Sequence, residues 1–164
     1  MPASEFVVTL GGIFEHSPWV PERAADSRPF ASRRHLLDTL RAEVQKAEPG
    51  QQLALIRMHP QLGSRGRTRA TLTEASAREQ QRAGLDACTD EEYAQLMELN
   101  AAYVHKFNFP FILAVRGHDP ASILATMIRR IAHDEPIERR TALDQIGLIA
   151  EYRLADLIAA QGAE

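Results

Sequence analysis

Three separated segments of the chain carry groups that could act together on one small molecule. They are His59-Pro60, the run Ser76–Gln80 and the stretch Phe109–Val115. They supply an imidazole, a hydroxyl, a carboxylate, an amide and a length of apolar backbone. These are groups that transfer protons and form hydrogen bonds near neutral pH. The set predicts acid–base chemistry without a metal.

His59 is the first candidate. Pro60 has a fixed φ and keeps the preceding residue out of the helical region, so the imidazole is expected on a rigid corner. A ring held there could act as a general acid or base. The same dipeptide also fits a plain turn in which His59 bonds to a neighbouring carbonyl, and the dipeptide alone leaves both interpretations open.

Ser76, Glu79 and Gln80 have the spacing of one helix face. At about 100° per residue, positions i, i+3 and i+4 point the same way. The pattern Ser76-x-x-Glu79 is equally typical of a capping box, in which both side chains would be structural. Gln80 is not needed for a cap.

The run Asn108-Phe109-Pro110-Phe111 interrupts a helical pattern and leads into apolar residues up to Val115. Backbone outside a helix has unpaired N–H and C=O groups, which need partners when buried. A planar ligand rich in amides would supply them. Other loops of the core would do so equally well.

Arg153 lies on the apolar stripe of the final helix, beside Ile146 and Ile149. Arginine is rarely buried unless it is paired, and its planar fork suits a carboxylate or two carbonyls. It is therefore either an anion clamp or one half of an ion pair, with Glu79 or Glu151 as the partners considered.

Apolar positions recur with a period near 3.6 along almost the whole chain, which predicts an all-α fold of seven or eight helices. We expect a single compact domain over residues 1–164, with one irregular apolar segment near Phe109–Val115. A short helix over Gln51–Arg57 would deliver His59 at its end. The predicted helix starts are Ser17-Pro18, Ser32, Thr89, Asp119-Pro120 and Pro136.

Composition excludes several classes of protein. The 164 residues are 45% hydrophobic and 25% charged, and the net charge of -3 does not favour nucleic-acid binding. Cys88 is the only cysteine, so neither an internal disulfide nor a cysteine zinc site is expected. Without a membrane-length apolar run or a signal peptide in residues 1–20, we expect a cytoplasmic protein. A noncatalytic helical interaction module, using Arg65, Arg67 and Arg69, stays as an alternative.

The ordered motifs resemble one enzyme family. They are Phe14-Glu15-His16-Ser17-Pro18-Trp19, His59-Pro60-x-Leu62, Ser76-x-x-Glu79-Gln80-x-x-Ala83-Gly84-Leu85, Leu99-Asn100-x-x-Tyr103, Lys106-Phe107-x-Phe109-Pro110-Phe111-Ile112 and Arg153-Leu154. Together they resemble the OHCU decarboxylase family. Its members convert 2-oxo-4-hydroxy-4-carboxy-5-ureidoimidazoline (OHCU) to (S)-allantoin and CO₂ in urate degradation. Many relatives have aspartate in place of Gln61 and glycine in place of Asn108.

The resemblance implies an all-helical homodimer that needs no cofactor and acts on a small ureidoimidazoline. It makes His59 the catalytic residue, and our mechanistic hypothesis is that Glu79 orients the ring. The implied substrate contacts are Pro60, Ser76, Ala77, Arg78, Glu79, Gln80, Phe111, Ile112, Leu113, Ala114, Val115 and Arg153. The alternative within enzymes is a related ureide or imidazoline lyase or hydrolase.

Overall fold

The structure is a computed structural model that describes residues 1–63 and 72–162. Within these ranges the backbone forms eight α-helices and no strand, which confirms the all-α prediction. The helices are α1 (Ala3–Leu10), α2 (Trp19–Ala24), α3 (Arg33–Lys46), α4 (Pro49–Met58), α5 (Glu74–Arg82), α6 (Asp90–Phe107), α7 (Pro120–Arg130) and α8 (Glu135–Gln161). None of these helices is long and apolar enough to cross a membrane.

Contacts divide the chain into two compact units. Unit 1 consists of Met1–Met58 and Ile146–Glu164, and unit 2 is His59–Gln145. In unit 1, α2 packs against both α1 and α3, whereas in unit 2 α6 packs against α7. The organisation of residues 1–164 as a single domain stays a prediction.

Side-chain caps fix the starts of three helices where the sequence predicts them. The hydroxyls of Ser32 and Thr89 each accept a hydrogen bond from the amide three residues further on. Asp119 and Ser122 form a reciprocal capping box, with Pro120 in the first turn. Each cap satisfies an amide that the helix itself leaves unpaired, so the local sequence determines where the helix begins.

Two predicted starts need correction. The helix α2 does begin directly after Pro18, at Trp19, but no side chain caps it. The Ser17 hydroxyl instead donates to the backbone carbonyl of Glu15 at 2.8 Å, a local bond that competes with capping. The helix α4 begins at Pro49, earlier than predicted, because proline suits the first helical position.

The irregular segment follows α6 as the sequence predicts. Asn108 ends the helix in the left-handed conformation, with φ 60° and ψ 26°, and its amide donates to the Val104 carbonyl. Residues 111–115 are outside any helix, and all five are buried. Tyr103 packs its ring against Phe109 and Phe111, with centroid distances of 6.0 and 5.3 Å. The segment therefore runs through the core of unit 2.

Candidate functional site

His59 is the first residue after α4, at the point where unit 2 begins. It is buried, with an exposed fraction of 7%, and Pro60 beside it is half-buried. The backbone from His59 to Gly63 is not helical, and we call this stretch the corner. The imidazole is thus placed in a desolvated position on a short non-helical turn.

Amide side chains tie the corner to two helices. From α5, the Gln80 Oε1 accepts the Gly63 amide at 3.0 Å, and the Gln80 Nε2 donates to the Gln61 carbonyl at 3.5 Å. From α6, the Asn100 Nδ2 donates to the Leu62 carbonyl at 2.9 Å. Three successive residues of the corner therefore have backbone groups held by side chains, which brings the corner and α5 together.

Gly63 is required by the shape of the corner. Its φ is +81°, a region that residues with a Cβ rarely adopt. A Cβ at this position would also lie 2.2 Å from Leu96 Cδ2. The corner can thus approach α6 closely only because residue 63 has no side chain.

The cap of α5 tests the capping-box interpretation of Ser76-x-x-Glu79. Thr73 is the N-cap, and its hydroxyl accepts the Ser76 amide at 3.2 Å. The capping-box interpretation of Ser76 and Glu79 is therefore wrong. Ser76 and Gln80 are buried and Glu79 is half-buried, as expected for a face turned toward the interior.

The other two residues of the Ser76–Gln80 run differ from this face. Ala77 is half-buried, whereas Arg78 is exposed. The Arg78 guanidinium lies 3.8 Å from the carboxylate of Glu74, which is also exposed. The charge of Arg78 therefore belongs to a solvated side of α5.

Two side chains bind the backbone of the irregular segment. Arg130 Nη1, at the end of α7, donates to the Ile112 carbonyl at 2.6 Å. Gln145 Oε1, on α8, accepts the Ala114 amide at 2.9 Å. Among the described residues, nothing pairs with the N–H or the C=O of Leu113, which lies between them. Buried polar backbone of this kind needs a partner, so Leu113 has the hydrogen-bonding capacity for a ligand.

Arg130, Glu138 and Tyr103 form a buried charged cluster, and the half-buried His133 lies at its edge. Glu138 Oε1 accepts from Arg130 Nε and from the Tyr103 hydroxyl, each at 2.7 Å. His133 Nδ1 lies 3.1 Å from the other Glu138 oxygen. Burial, together with the bond to Glu138, raises the pKa of Tyr103 well above its ordinary value, so the phenol stays neutral and donates. The Arg130 guanidinium also stacks over the Phe111 ring at 4.3 Å.

Arg153 lies in unit 1, where it is paired. Its Nη1 is 2.9 Å from Glu15 Oε2 and 3.3 Å from the Gly12 carbonyl. Both members of the Arg153–Glu15 pair are buried. The sequence did not point to Glu15, and Glu151, which it did suggest, pairs with Arg41 at 2.8 Å.

Asn100 is part of a sequence motif but was given no role, and the sequence did not single out Arg130, Glu138 or Gln145. Asn100, Arg130 and Glu138 are polar residues at buried positions of helical stripes, and Gln145 is a half-buried one. Arg130 follows Met127 by three residues, the spacing of one face. Polar residues at such positions indicate a buried hydrogen-bond network rather than a solvated surface.

A metal site finds no support in the residues that the structure describes. No group of three or more His, Cys, Asp or Glu side chains among them could hold an ion. The expected independence from a metal stays a prediction. The basic cluster at Arg65, Arg67 and Arg69 lies outside the described residues.

Comparison with known proteins decides the family. The model of the OHCU decarboxylase family matches residues 1–155. The chain belongs to the OHCU decarboxylase family. This confirms the resemblance that the ordered motifs indicated.

Two relatives that bear the name of the decarboxylase are similar over most of their length. The 2-oxo-4-hydroxy-4-carboxy-5-ureidoimidazoline decarboxylase of Haloferax volcanii is 45% identical over 151 residues, which are 92% of this chain and 88% of that protein. The Mus musculus decarboxylase of the same name is 35% identical over 160 residues, 98% of this chain and 90% of its own.

Two crystal structures are also similar. An (S)-allantoin synthase has a TM-score of 0.76 and 31% identity, and the match covers 96% of this chain and half (50%) of that one. An OHCU decarboxylase determined in the presence of (S)-allantoin has a TM-score of 0.73. At 23% identity, with 94% of this chain and 97% of that chain covered, the second likeness shows the fold.

Proposed function

We propose that this protein is a carboxy-lyase that converts OHCU to (S)-allantoin and CO₂ in urate degradation. The observation that carries the proposal is the family match across residues 1–155. The Haloferax volcanii relative, which is 45% identical, bears the name of this decarboxylase. A shared fold alone would not identify the reaction.

The chemistry of the substrate explains why acid–base groups would suffice. The leaving carboxylate is attached to a carbon next to a ring C=N bond. Electrons released with CO₂ can therefore flow into that bond and form an enol-like intermediate, which is then protonated on carbon. The protein has to orient the substrate, exclude water and transfer a proton.

His59 is the proposed catalytic residue. We assign its imidazole to the substrate hydroxyl beside the carboxylate, where it would assist proton transfer as CO₂ leaves. Glu79 is the proposed partner that orients the ring. Support comes from the burial of His59 and from the bonds that fix its corner to Gln80. Proton delivery from one fixed direction would give a single configuration of allantoin.

The proposed substrate contacts are made by polar side chains and by the backbone. The buried Ser76 hydroxyl would bind a ring or ureido carbonyl, while Gln80 would combine such a contact with its hold on the corner. The backbone of residues 111–115 would pair with the amides of the ring. Arg153, paired with Glu15, is kept as a proposed contact with a carbonyl or carboxylate. Pro60, Ala77 and Arg78 are weaker candidates, and Arg78 is exposed.

Assembly and location are also proposals. The family resemblance supports a homodimer of this 18.3 kDa chain. A cytoplasmic location is proposed from the sequence, and the part of the chain that the structure describes has no helix suited to span a membrane. Neither proposal affects the assignment of the reaction.

The reaction is tested with OHCU generated freshly from urate. The purified protein should release CO₂ and accumulate (S)-allantoin, followed by circular dichroism, faster than the spontaneous decay of OHCU. A hydrolase acting on the same ring would consume OHCU without this yield of CO₂. A rate equal to the spontaneous decay would contradict the proposed function.

The role of His59 is tested by His59→Asn, which retains a polar side chain but cannot exchange a proton near neutral pH. We expect kcat to fall by about 10²–10⁴-fold, the usual contribution of a general acid or base. The matched control is His105→Asn, which changes an exposed histidine of α6 and should leave kcat unchanged. Turnover of His59→Asn near that of the parent protein would reject the assignment.

A further inference from the structure

We infer that Arg130 and Gln145 are positioning residues, which aim the Leu113 peptide groups at the substrate ring. The inference rests on the proposed function and assigns roles to two side chains that the catalytic proposal does not use. Arg130, on α7, binds the backbone of the residue before Leu113, and Gln145, on α8, binds the backbone of the residue after it.

These two bonds determine the directions in which the N–H and the C=O of Leu113 point. The C=O of one residue and the N–H of the next share a planar trans peptide and point opposite ways. Because the Ile112 carbonyl faces Arg130, the Leu113 N–H points away from Arg130. Because the Ala114 N–H faces Gln145, the Leu113 C=O points away from Gln145. The two anchors thus set the direction of one donor and one acceptor.

The anchor on the Ile112 side is rigid. The guanidinium of Arg130 is held by Glu138 through Nε at 2.7 Å and is stacked on the Phe111 ring at 4.3 Å. Its side chain is 4% exposed and that of Glu138 is 0% exposed. A buried charge with a buried partner has few alternative positions, so the peptide that it binds is fixed before the ligand arrives.

The N–H and the C=O of Leu113 match the chemistry of the ligand. A cyclic ureide such as the OHCU ring carries amide N–H donors beside carbonyl acceptors. The Leu113 C=O can accept from a ring N–H, and the Leu113 N–H can donate to a ring carbonyl. Since both contacts would exist before and after CO₂ leaves, they should contribute to binding more than to the chemical step.

The first test separates KM from kcat in Gln145→Leu, which removes the acceptor for the Ala114 amide at similar volume. We expect KM for OHCU to rise about tenfold while kcat stays within about twofold, because uniform binding is lost. Gln145→Glu retains an acceptor oxygen and should restore most of the loss in KM. Arg130→Lys, which keeps the charge opposite Glu138 but lacks the planar fork, should also raise KM.

The matched control is Gln52→Leu. Gln52 Nε2 donates to the Val44 carbonyl at 2.9 Å in unit 1, so this variant also loses a bond between a glutamine side chain and the backbone, away from Leu113. Its KM should be unchanged. If Gln145→Leu only lowers thermal stability and keeps the parent KM, the positioning role is overturned. If the parent protein itself does not accelerate the decay of OHCU, the proposed function is what has failed.

A second test observes the Leu113 amide directly and needs no turnover. Labelling with ¹³CO-isoleucine and ¹⁵N-leucine selects Ile-Leu pairs, which occur at Ile112-Leu113 and at Ile123-Leu124. Adding (S)-allantoin should shift the Leu113 signal and leave that of Leu124, an internal control in α7. The shift should shrink in Gln145→Leu. A Leu113 signal that does not move at (S)-allantoin concentrations that inhibit turnover would overturn the inference.

Discussion

The corner His59–Gly63 and the irregular segment 111–115 lie in the same unit, and side chains from neighbouring helices anchor the backbone of both. The anchors differ in kind. Neutral amides, Gln80 and Asn100, hold the corner. A charged guanidinium, that of Arg130, holds the segment together with the neutral amide of Gln145.

The difference shows what a charged anchor requires. A neutral amide needs only its hydrogen bonds when it is buried. A buried guanidinium also needs a countercharge, and that countercharge needs further donors. This explains why Glu138 lies beside Arg130 and why the Tyr103 hydroxyl binds the same carboxylate. The segment is therefore held by a network, whereas separate bonds hold the corner.

The largest effect is expected when the network loses its countercharge. Glu138→Gln would leave Arg130 buried without a carboxylate, and breaking a buried ion pair costs about 3–5 kcal/mol. The free energy of unfolding, measured by urea denaturation at neutral pH, should fall by this amount.

The control for that experiment is Glu135→Gln. Glu135 pairs with Arg139 at 2.9 Å, with side chains that are 41% and 31% exposed. A partly exposed pair of this kind contributes about 0–1 kcal/mol. Equal losses in the two variants would show that the buried charge of Glu138 has no special role.

A smaller loss is expected when the corner is disturbed through its glycine. Gly63→Ala puts a Cβ against Leu96 Cδ2 and forces alanine into a positive φ. Overpacking of this kind costs about 1–3 kcal/mol. The shifted corner should also move His59, so kcat should fall together with the unfolding free energy.

Gly50→Ala is the matched control for the corner. A Cβ on Gly50 would meet nothing within 4 Å, and the residue lies in α4, where alanine is preferred over glycine. Stability should be unchanged or slightly higher. If Gly63→Ala behaves like Gly50→Ala, the close approach of the corner to α6 is unimportant.

The smallest effect concerns the start of α7, the helix that carries Arg130. Hydrogen bonds from the Ser122 amide and hydroxyl lower the pKa of Asp119 from 3.8. Because the folded-state pKa is the lower one, the ionised carboxylate stabilises the fold above pH 3.8, and this contribution is lost as the pH falls through the folded-state pKa. Asp119→Asn keeps a capping oxygen but should lack this pH dependence.

The measurement for Asp119 is urea denaturation of both proteins between neutral pH and the acid limit of folding. The parent should be slightly more stable at neutral pH, and the gap should close below the ordinary carboxyl pKa. Asp144→Asn, which alters an exposed carboxylate of α8 that caps no helix, is the control. A gap that is constant with pH would contradict the role of the charge.

The sequence predicts the helices well because local rules govern them. Period, caps and prolines act within a few residues, so the starts after Ser32, Thr89 and Asp119 follow directly. The Ser17 hydroxyl was predicted as a cap, but it bonds to the Glu15 carbonyl instead. Where a hydroxyl has more than one local partner within reach, sequence alone does not decide how the side chain is oriented.

The sequence also explains one departure from the family pattern. The resemblance implies glycine in many relatives where this chain has Asn108, and Asn108 is left-handed with φ 60°. Asparagine tolerates this conformation better than other residues with a Cβ, so the end of α6 is retained. The departure is therefore conservative in backbone terms.

Less of the candidate site follows from the sequence, because its contacts join distant parts of the chain. Gln80 was singled out as a binding residue, but its bonds to Gln61 and Gly63 depend on how α5 packs. The pairing of Arg130 with Glu138 depends on the turn between α7 and α8. Polar residues on apolar stripes mark such contacts, but they do not name the partner.

The unpaired N–H and C=O of Leu113 have a consequence for mutational scanning of this protein. Recognition by main-chain atoms leaves the identity of the side chain unconstrained by the ligand. Alanine scanning of residues 111–115 would then measure only the packing of buried apolar groups, and it would overlook the proposed contact. A backbone substitution, such as an ester in place of the residue 113 amide, would remove the N–H itself and so test its proposed contact.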